Sequence, residues 1–135
     1  MGALELGTLL LDLLLALRLR PDRLDDEGWQ PNVPDQHRLH LHALRGYLYD
    51  QRKDHDKAIG EYEKAIGLQP DSSLLFNNLG MSRYLKGDNR GAVENYSRAI
   101  RLDINNRRAY NNLGLVLFKM GHYDDALLAF NHGGD

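Results

Sequence analysis

The tetrapeptide Asn77-Asn78-Leu79-Gly80 recurs 34 residues later as Asn111-Asn112-Leu113-Gly114, and Gly46 lies 34 residues before Gly80. When Leu39 is counted as position 1, small or aromatic residues return at fixed positions: Gly46, Gly80 and Gly114 at position 8; Ala58, Ala92 and Ala126 at position 20; Tyr62, Tyr96 and Phe130 at position 24; Ala65, Ala99 and Gly133 at position 27. Small residues let two helices approach closely, and the rings fill the space between them. One helix pair cannot bury its apolar stripe alone, so neighbouring pairs must stack.

This spacing resembles the tetratricopeptide repeat family, whose helix–turn–helix unit is about 34 residues long. The resemblance implies an all-α, right-handed solenoid of antiparallel helix pairs, with repeats at residues 39–72 and 73–106 and an incomplete one at 107–135. The predicted helices are His37–Gln51, Asp56–Leu68, Ser73–Lys86, Asn89–Leu102, Arg107–Met120 and Tyr123–Asn131. Gly87 and Gly121 are expected to turn the chain between paired helices, with Asp88 as a cap.

The first 36 residues stand outside this period. Residues 1–21 are leucine-rich, and the segment ending at Pro21 matches the segment ending at Pro70 in its Ala, Leu, Pro and Asp, which predicts the second helix of a degenerate repeat. A signal peptide or a membrane span is disfavoured, because Glu5 precedes the apolar run and Asp12 interrupts it. Residues 22–36 read as an acidic, proline-containing linker, in which Trp29 is expected to pack on the first repeat.

Composition excludes several functions. A net charge of −2 shows no strong basic field, so nucleic acid is not an expected partner. There is no cysteine, which is compatible with either cytoplasm or periplasm. We find no nucleophile elbow and no phosphate-binding loop, and therefore predict no enzyme, no catalytic residue and no cofactor.

The histidines are the remaining candidates for chemistry. His37 and His40 share a helix face, but zinc needs three or four ligands, and no suitably spaced partner joins them. We predict no metal site and interpret the histidines as surface residues. His42 and Arg45 replace the expected large apolar residues at positions 4 and 7 of the first repeat, and we expect them on a partly exposed face.

The resemblance also implies a ligand-binding groove on the first helix of each repeat. Positions 4, 7, 8 and 11 face the partner helix, which leaves positions 2, 5, 6, 9, 12 and 13 for the groove. The predicted partner-binding residues are Tyr47, Leu74, Asn77, Asn78, Met81, Tyr84, Leu85, Arg108, Asn111, Asn112, Leu115, Phe118 and Lys119. Their apolar majority favours a protein or peptide segment with apolar anchors.

Two binding modes of the family differ in their polar residues. In the family, the clamp for a terminal carboxylate uses Lys and Asn in the first repeat, Asn in the second, and Lys and Arg in the third. Asn78 and Arg108 fit this set, but Ala43, Tyr47 and Asn112 do not, so that mode is disfavoured. A ladder that bonds an extended peptide backbone fits Asn78 and Asn112, because an amide both donates and accepts. The alternative is that the asparagines only solvate the groove or bond neighbouring helices.

We therefore expect a non-catalytic protein–protein interaction scaffold. The Asn-Asn-Leu-Gly motifs also resemble, loosely, repeat proteins of bacterial pilus assembly and secretion. Two alternatives stay open: a docking or regulatory fragment of a larger enzyme, and a self-assembling module. Homo-oligomers would form through the N-terminal helix or through the uncapped helix Tyr123–Asn131.

Overall fold

Six α-helices follow one another in the computed structural model, which describes residues 35–134. They are α1 (Asp35–Gln51), α2 (His55–Leu68), α3 (Ser73–Lys86), α4 (Asn89–Leu102), α5 (Arg107–Lys119) and α6 (Tyr123–Gly133). No strand occurs in this part of the chain. Every helix begins and ends within two residues of its predicted position, and α1 starts inside the predicted linker. The predictions for the leucine-rich segment and for the rest of the linker lie outside the described residues.

The helices pair in sequence order, α1 with α2, α3 with α4 and α5 with α6. The chain forms two compact units, one ending at Leu68 and the other beginning at Gln69. In its described part the first unit contains the pair α1–α2. The second unit contains two pairs, in which α4 packs on α5 and α3 also contacts α5. The fold is an all-α helical-repeat solenoid, as the period predicts.

The turns are built from local hydrogen bonds, as expected for Gly87 and Asp88. Gly87 has a φ of 95° and Gly121 a φ of 85°, conformations that glycine adopts without a Cβ penalty. An Asp88 side-chain oxygen accepts from the Gly91 amide at 2.9 Å, and that bond and the Arg83 guanidinium lower the pKa of Asp88. The corresponding turn of the first repeat places Lys53 at a φ of 63°. In one turn, therefore, a lysine adopts the left-handed backbone conformation that glycine adopts in the other two.

The small residues of the period lie where the paired helices cross. A Cβ added to Gly46, Gly80 or Gly114 would meet the ring of the partner helix at 2.8, 2.7 and 2.6 Å, the rings being those of Tyr62, Tyr96 and Phe130. The alanines at positions 20 and 27 are all buried. Burial raises the pKa of the Tyr62 and Tyr96 phenols above the ordinary value. The predicted glycine–ring contact is confirmed in each of the three helix pairs.

The prediction for two polar residues of the first repeat is wrong. His42 is 2% exposed and Arg45 is 6% exposed, so neither lies on a partly exposed face. Both face Glu61 of α2, which is itself 5% exposed. A buried carboxylate supplies the partner that lets two polar side chains leave water. Position 4 therefore keeps its predicted direction toward the partner helix, and the predicted exposure is what fails.

Candidate functional site

Helices α3 and α5 of the second unit lie side by side and present an exposed apolar face. The side-chain amide of Asn112 donates to Oδ1 of Asn77 at 3.0 Å, and Nζ of Lys119 lies 5.0 Å from the ring centre of Tyr84. Between 48% and 57% of each of the following side chains is exposed: Leu74, Leu85, Leu115 and Phe118. Met81 and Tyr84, which lie on α3 between Leu74 and Leu85, are half-buried. We call this surface, with Asn78 and Arg108, the α3–α5 face.

The four asparagines of the predicted site occupy different environments. Asn77 is 2% exposed, and its oxygen is used by Asn112. Asn111 donates to the backbone oxygen of Gly133 at 3.2 Å, which ties α5 to the end of α6. Asn78 is half-buried, and its side chain makes no hydrogen bond within residues 35–134. Among the four asparagines, Asn78 is therefore the one whose side chain has no hydrogen-bond partner within the described residues.

The charge of the α3–α5 face has one sign. The sequences of α3 and α5 contain no aspartate or glutamate, whereas Arg107, Arg108 and Lys119 of α5 are exposed. The Lys119 ammonium lies over the Tyr84 ring in a cation–π arrangement. A ligand with apolar side chains and a negative rather than a positive charge suits this surface.

Phe118 is fixed at one end of the face. Its ring meets the ring of Tyr123 edge to face, with 5.2 Å between the ring centres. Such aromatic pairs add about 0.5–1.5 kcal/mol beyond area burial. The contact holds Phe118 in place although 57% of it is exposed. An exposed ring held by a neighbour is a suitable anchor for a binding partner.

Tyr47 is the one predicted site residue of the first unit. It is 53% exposed on α1, at the position that Met81 and Leu115 occupy in the other repeats. On the same helix, Asp50 bonds Nδ1 of His55 at 2.8 Å and so closes the turn between α1 and α2. The carboxylate of Asp50 is therefore already used within the first unit.

Sequence reasoning missed a cluster of charged residues at the α1–α2 interface. Nδ1 of His42 lies 2.7 Å from Oε2 of Glu61, and Nη2 of Arg45 lies 3.2 Å from Oε1. Lys64 approaches the same carboxylate at 3.7 Å from the exposed side. The signal was present in the sequence: positions 4, 7 and 23 are polar together in the first repeat. The helical period predicts which residues of one helix share a face. It does not predict that positions 4 and 7 of the first helix contact position 23 on the second helix of the repeat.

The described residues offer little to other chemistries. Residues 35–134 contain no group of three or more His, Cys, Asp or Glu side chains that could hold a metal ion. None of the six helices is both long and apolar enough to cross a membrane. A cavity of about 330 Å³ lies between α4, the end of α5 and the turn before α6. It is lined by Arg90, Val93, Glu94, Leu117, Met120, His122 and Asp125.

Comparison with known proteins agrees with the fold. Residues 39–72 match the family model described as tetratricopeptide repeat, and residues 82–121 match one described as TPR repeat. No curated protein matches the chain. The chain therefore contains tetratricopeptide repeats, a class of helical-repeat scaffold for protein–protein interaction.

Three solved structures resemble the chain. MamA is 26% identical, with a TM-score of 0.66, over 70% of this chain and 56% of its own. The Sgt2 TPR domain from Aspergillus fumigatus is 27% identical, with a TM-score of 0.68, over 75% of this chain and 65% of its own. The second TPR of Spaghetti (RPAP3), bound to the HSP90 peptide SRMEEVD, is 21% identical, with a TM-score of 0.68, over 73% of this chain and 94% of its own. This chain thus spans about half the length of MamA.

Proposed function

We propose that the α3–α5 face binds an extended peptide segment of another protein through apolar anchors. The observation that carries the proposal is the exposure of Leu74, Leu85, Leu115 and Phe118 on two adjacent helices. An apolar surface of this kind is costly in water and is typical of an interaction site. The RPAP3 domain with this fold was solved with the HSP90 peptide SRMEEVD bound, which supports an extended peptide as the kind of ligand.

Asn78 is the residue that we assign to the peptide backbone. Its amide offers a donor and an acceptor to one peptide unit. The amides of Asn77, Asn111 and Asn112 all bond to groups of the second unit. The ladder hypothesis is therefore best tested at Asn78, since replacing Asn112 would also remove its bond to Asn77. Arg108 and Lys119 would favour acidic groups in the ligand.

The test uses a phage-displayed library of random twelve-residue peptides, selected on the full chain. Selected peptides should carry apolar anchors and bind the doubly substituted Tyr84→Glu, Phe118→Glu chain at least about tenfold more weakly. Ile104→Glu is the matched control, because Ile104 is 70% exposed in the loop before α5. Equal affinity for the double variant and for wild type, or no selected peptide, would contradict the proposal.

A second measurement isolates the amide. Asn78→Ala should weaken binding of the selected peptides by roughly fivefold to tenfold, the range of one net hydrogen bond. The melting temperature should stay the same, because the side chain makes no hydrogen bond within the described residues. Unchanged affinity of Asn78→Ala would contradict the hypothesis of an asparagine ladder, without affecting the proposal that apolar side chains anchor the peptide.

Narrower predictions from the sequence are part of this proposal. We infer a non-catalytic scaffold, since repeats of this class typically act without chemistry of their own. The context of bacterial pilus assembly or secretion rests on the Asn-Asn-Leu-Gly motifs and on the run from Gly114 to Ala126. Docking within a larger enzyme and self-association remain the alternatives, and light scattering against concentration tests the second.

A further inference from the structure

The cavity of the second unit lies apart from the α3–α5 face. Helices α4 and α6 each pack on α5 but have little direct contact with each other, and the cavity lies between them at the end of α5. Its volume is about 330 Å³, at the lower end of the range of about 300–1,000 Å³ that is typical of ligand-binding cavities. The cavity is therefore large enough for one small molecule, and its lining contains none of the partner-binding residues predicted from the sequence.

The apolar part of the lining comes from α4 and from the end of α5. Val93 of α4 packs against the buried cluster that includes Tyr96 and Val116, so this wall is held in place. Leu117 is half-buried near the end of α5, and Met120, which is 39% exposed, follows it. A methionine side chain is unbranched and flexible, and it adapts to apolar groups of different shape. This part of the lining suits an aliphatic or aromatic side chain.

The rest of the lining consists of exposed titratable side chains of both signs: Arg90, Glu94, His122 and Asp125. Arg90 and Glu94 lie four residues apart on α4, a spacing at which opposite charges on a helix commonly pair. Neither of them makes an ion pair or a side-chain hydrogen bond with any other described residue. The same is true of Asp125 and of His122, whose side chain does not cap α6. Within the described part of the chain, one guanidinium and two carboxylates are thus open to a ligand.

The combination of these groups fits the three parts of an α-amino acid. At pH 7 a free α-amino acid carries a carboxylate and an ammonium next to its side chain. A guanidinium donates two parallel hydrogen bonds to a carboxylate, and a carboxylate accepts from an ammonium. The terminus of a peptide carries only one of these two charges. A free amino acid therefore uses the mixed charge of this lining more completely than a peptide does.

We propose that this cavity binds a free α-amino acid with a large apolar side chain, such as leucine, methionine or phenylalanine. Arg90 binds the carboxylate, Glu94 and Asp125 bind the ammonium, and the ligand side chain lies on the apolar part of the lining. The cavity and the α3–α5 face share no residue. The proposal is therefore independent of peptide binding at that face and is tested separately.

The test is a titration of the full chain, with ¹³C-labelled methionine methyl groups, followed by NMR. Met120 lines the cavity, whereas Met81 belongs to the α3–α5 face and is the internal control. L-Leucine should shift the Met120 resonance in a saturable way, with a Kd of about 1–10 mM for a ligand of this size. The Met81 resonance should stay in place. No saturable shift of Met120, or a shift of Met81 with the same Kd, would overturn the proposal.

Three related compounds each lack one of the recognised groups. N-acetyl-L-leucine has no ammonium, L-leucinamide has no carboxylate and glycine has no side chain. The two leucine derivatives should bind about threefold more weakly than L-leucine, the effect of losing one exposed ion pair. Glycine should give no saturable shift of Met120. Equal affinity for L-leucine and for either derivative would overturn the proposal in favour of a chain terminus, which carries a single charge.

Two substitutions assign the charges. Glu94→Gln should weaken the binding of L-leucinamide about threefold without weakening that of N-acetyl-L-leucine, because only the amide presents an ammonium. Arg90→Gln should weaken N-acetyl-L-leucine and not L-leucinamide. Arg101→Gln is the matched control, since Arg101 is exposed on α4 and does not line the cavity. Effects of Glu94→Gln and Arg90→Gln no larger than that of Arg101→Gln would contradict the assignment and the site.

Discussion

The helix pair of the first repeat and the pairs of the second unit share the glycine–ring contact and differ in the rest of their interface. At positions 4, 7 and 23 the first repeat has His42, Arg45 and Glu61. The second and third repeats have mostly apolar residues there: Phe76, Leu79, Asn95, Tyr110, Leu113 and Ala129. The same backbone arrangement is therefore filled by ionic contacts in one pair and mostly by apolar contacts in the others.

The two solutions have different energetics. A buried ion pair gains strong attraction but loses hydration, so its net contribution to the free energy of unfolding is small. Removal of one partner, in contrast, leaves a charge uncompensated in a region of low polarity. In an apolar interface, truncating a side chain lowers the free energy of unfolding in proportion to the buried atoms that are removed. The first repeat is thus the more sensitive to a single change and the more tolerant of complete replacement.

The largest expected effect comes from Glu61→Gln. His42 and Arg45 would then face a neutral amide in a buried position, which should lower the free energy of unfolding by about 3–5 kcal/mol. Urea denaturation followed by circular dichroism measures it. Glu63→Gln is the control, because Glu63 is an exposed glutamate of the same helix and should change stability by less than about 0.5 kcal/mol. Equal effects of the two substitutions would contradict the ionic interface.

Complete replacement sharpens the same experiment. The triple variant His42→Phe, Arg45→Leu, Glu61→Ala gives the first repeat the side-chain types of the others. It should be as stable as wild type or up to about 4 kcal/mol more stable. A loss as large as that of Glu61→Gln would show that the cluster contributes more than mutual compensation of charge.

An intermediate effect is expected from the shared feature, the glycine–ring contact. In Gly80→Ala the new methyl group would meet two ring atoms of Tyr96 at 2.7 and 2.8 Å, which should cost about 1–3 kcal/mol of stability. Gly60 is also helical, and a Cβ there would have nothing within 4 Å. Gly60→Ala should therefore stabilise by up to about 1 kcal/mol, from helix propensity. Thermal melts of both variants measure these changes in stability. A change in the same direction for both variants would contradict the prediction.

The smallest effect concerns the turn in which the repeats differ. Lys53 has a φ of 63° where the other turns have Gly87 and Gly121. Lys53→Gly should raise the free energy of unfolding by about 0.5–1 kcal/mol, because relief of the left-handed strain exceeds the added flexibility of the unfolded chain. Gly87→Ala should act in the opposite direction. A destabilised Lys53→Gly variant in urea denaturation would show that the Lys53 side chain itself stabilises the turn.

Much of this architecture could be predicted because small and large residues recur at fixed positions of the 34-residue period. Gly80 and Tyr96 lie 16 residues apart in the sequence, and the Tyr96 ring packs against Gly80 where the two helices cross closely. The role of the asparagines could not be predicted in the same way. Asn77 and Asn78 are adjacent, identical in type and both outside the stripe that faces the partner helix. The side chain of Asn77 is buried beside α5, whereas Asn78 remains available.

The sequence by itself determined the helices, their pairing and the small residues at each crossing, since these depend on spacing along one chain and on side-chain volume. Only the tertiary structure decided that His42 and Arg45 are buried on Glu61 and that Asn77 is covered while Leu127 is exposed. The physical reason is that helical periodicity gives the direction of a side chain from its own axis. Whether that direction leads to water, to a carboxylate or to a neighbouring helix depends on residues that are distant in sequence.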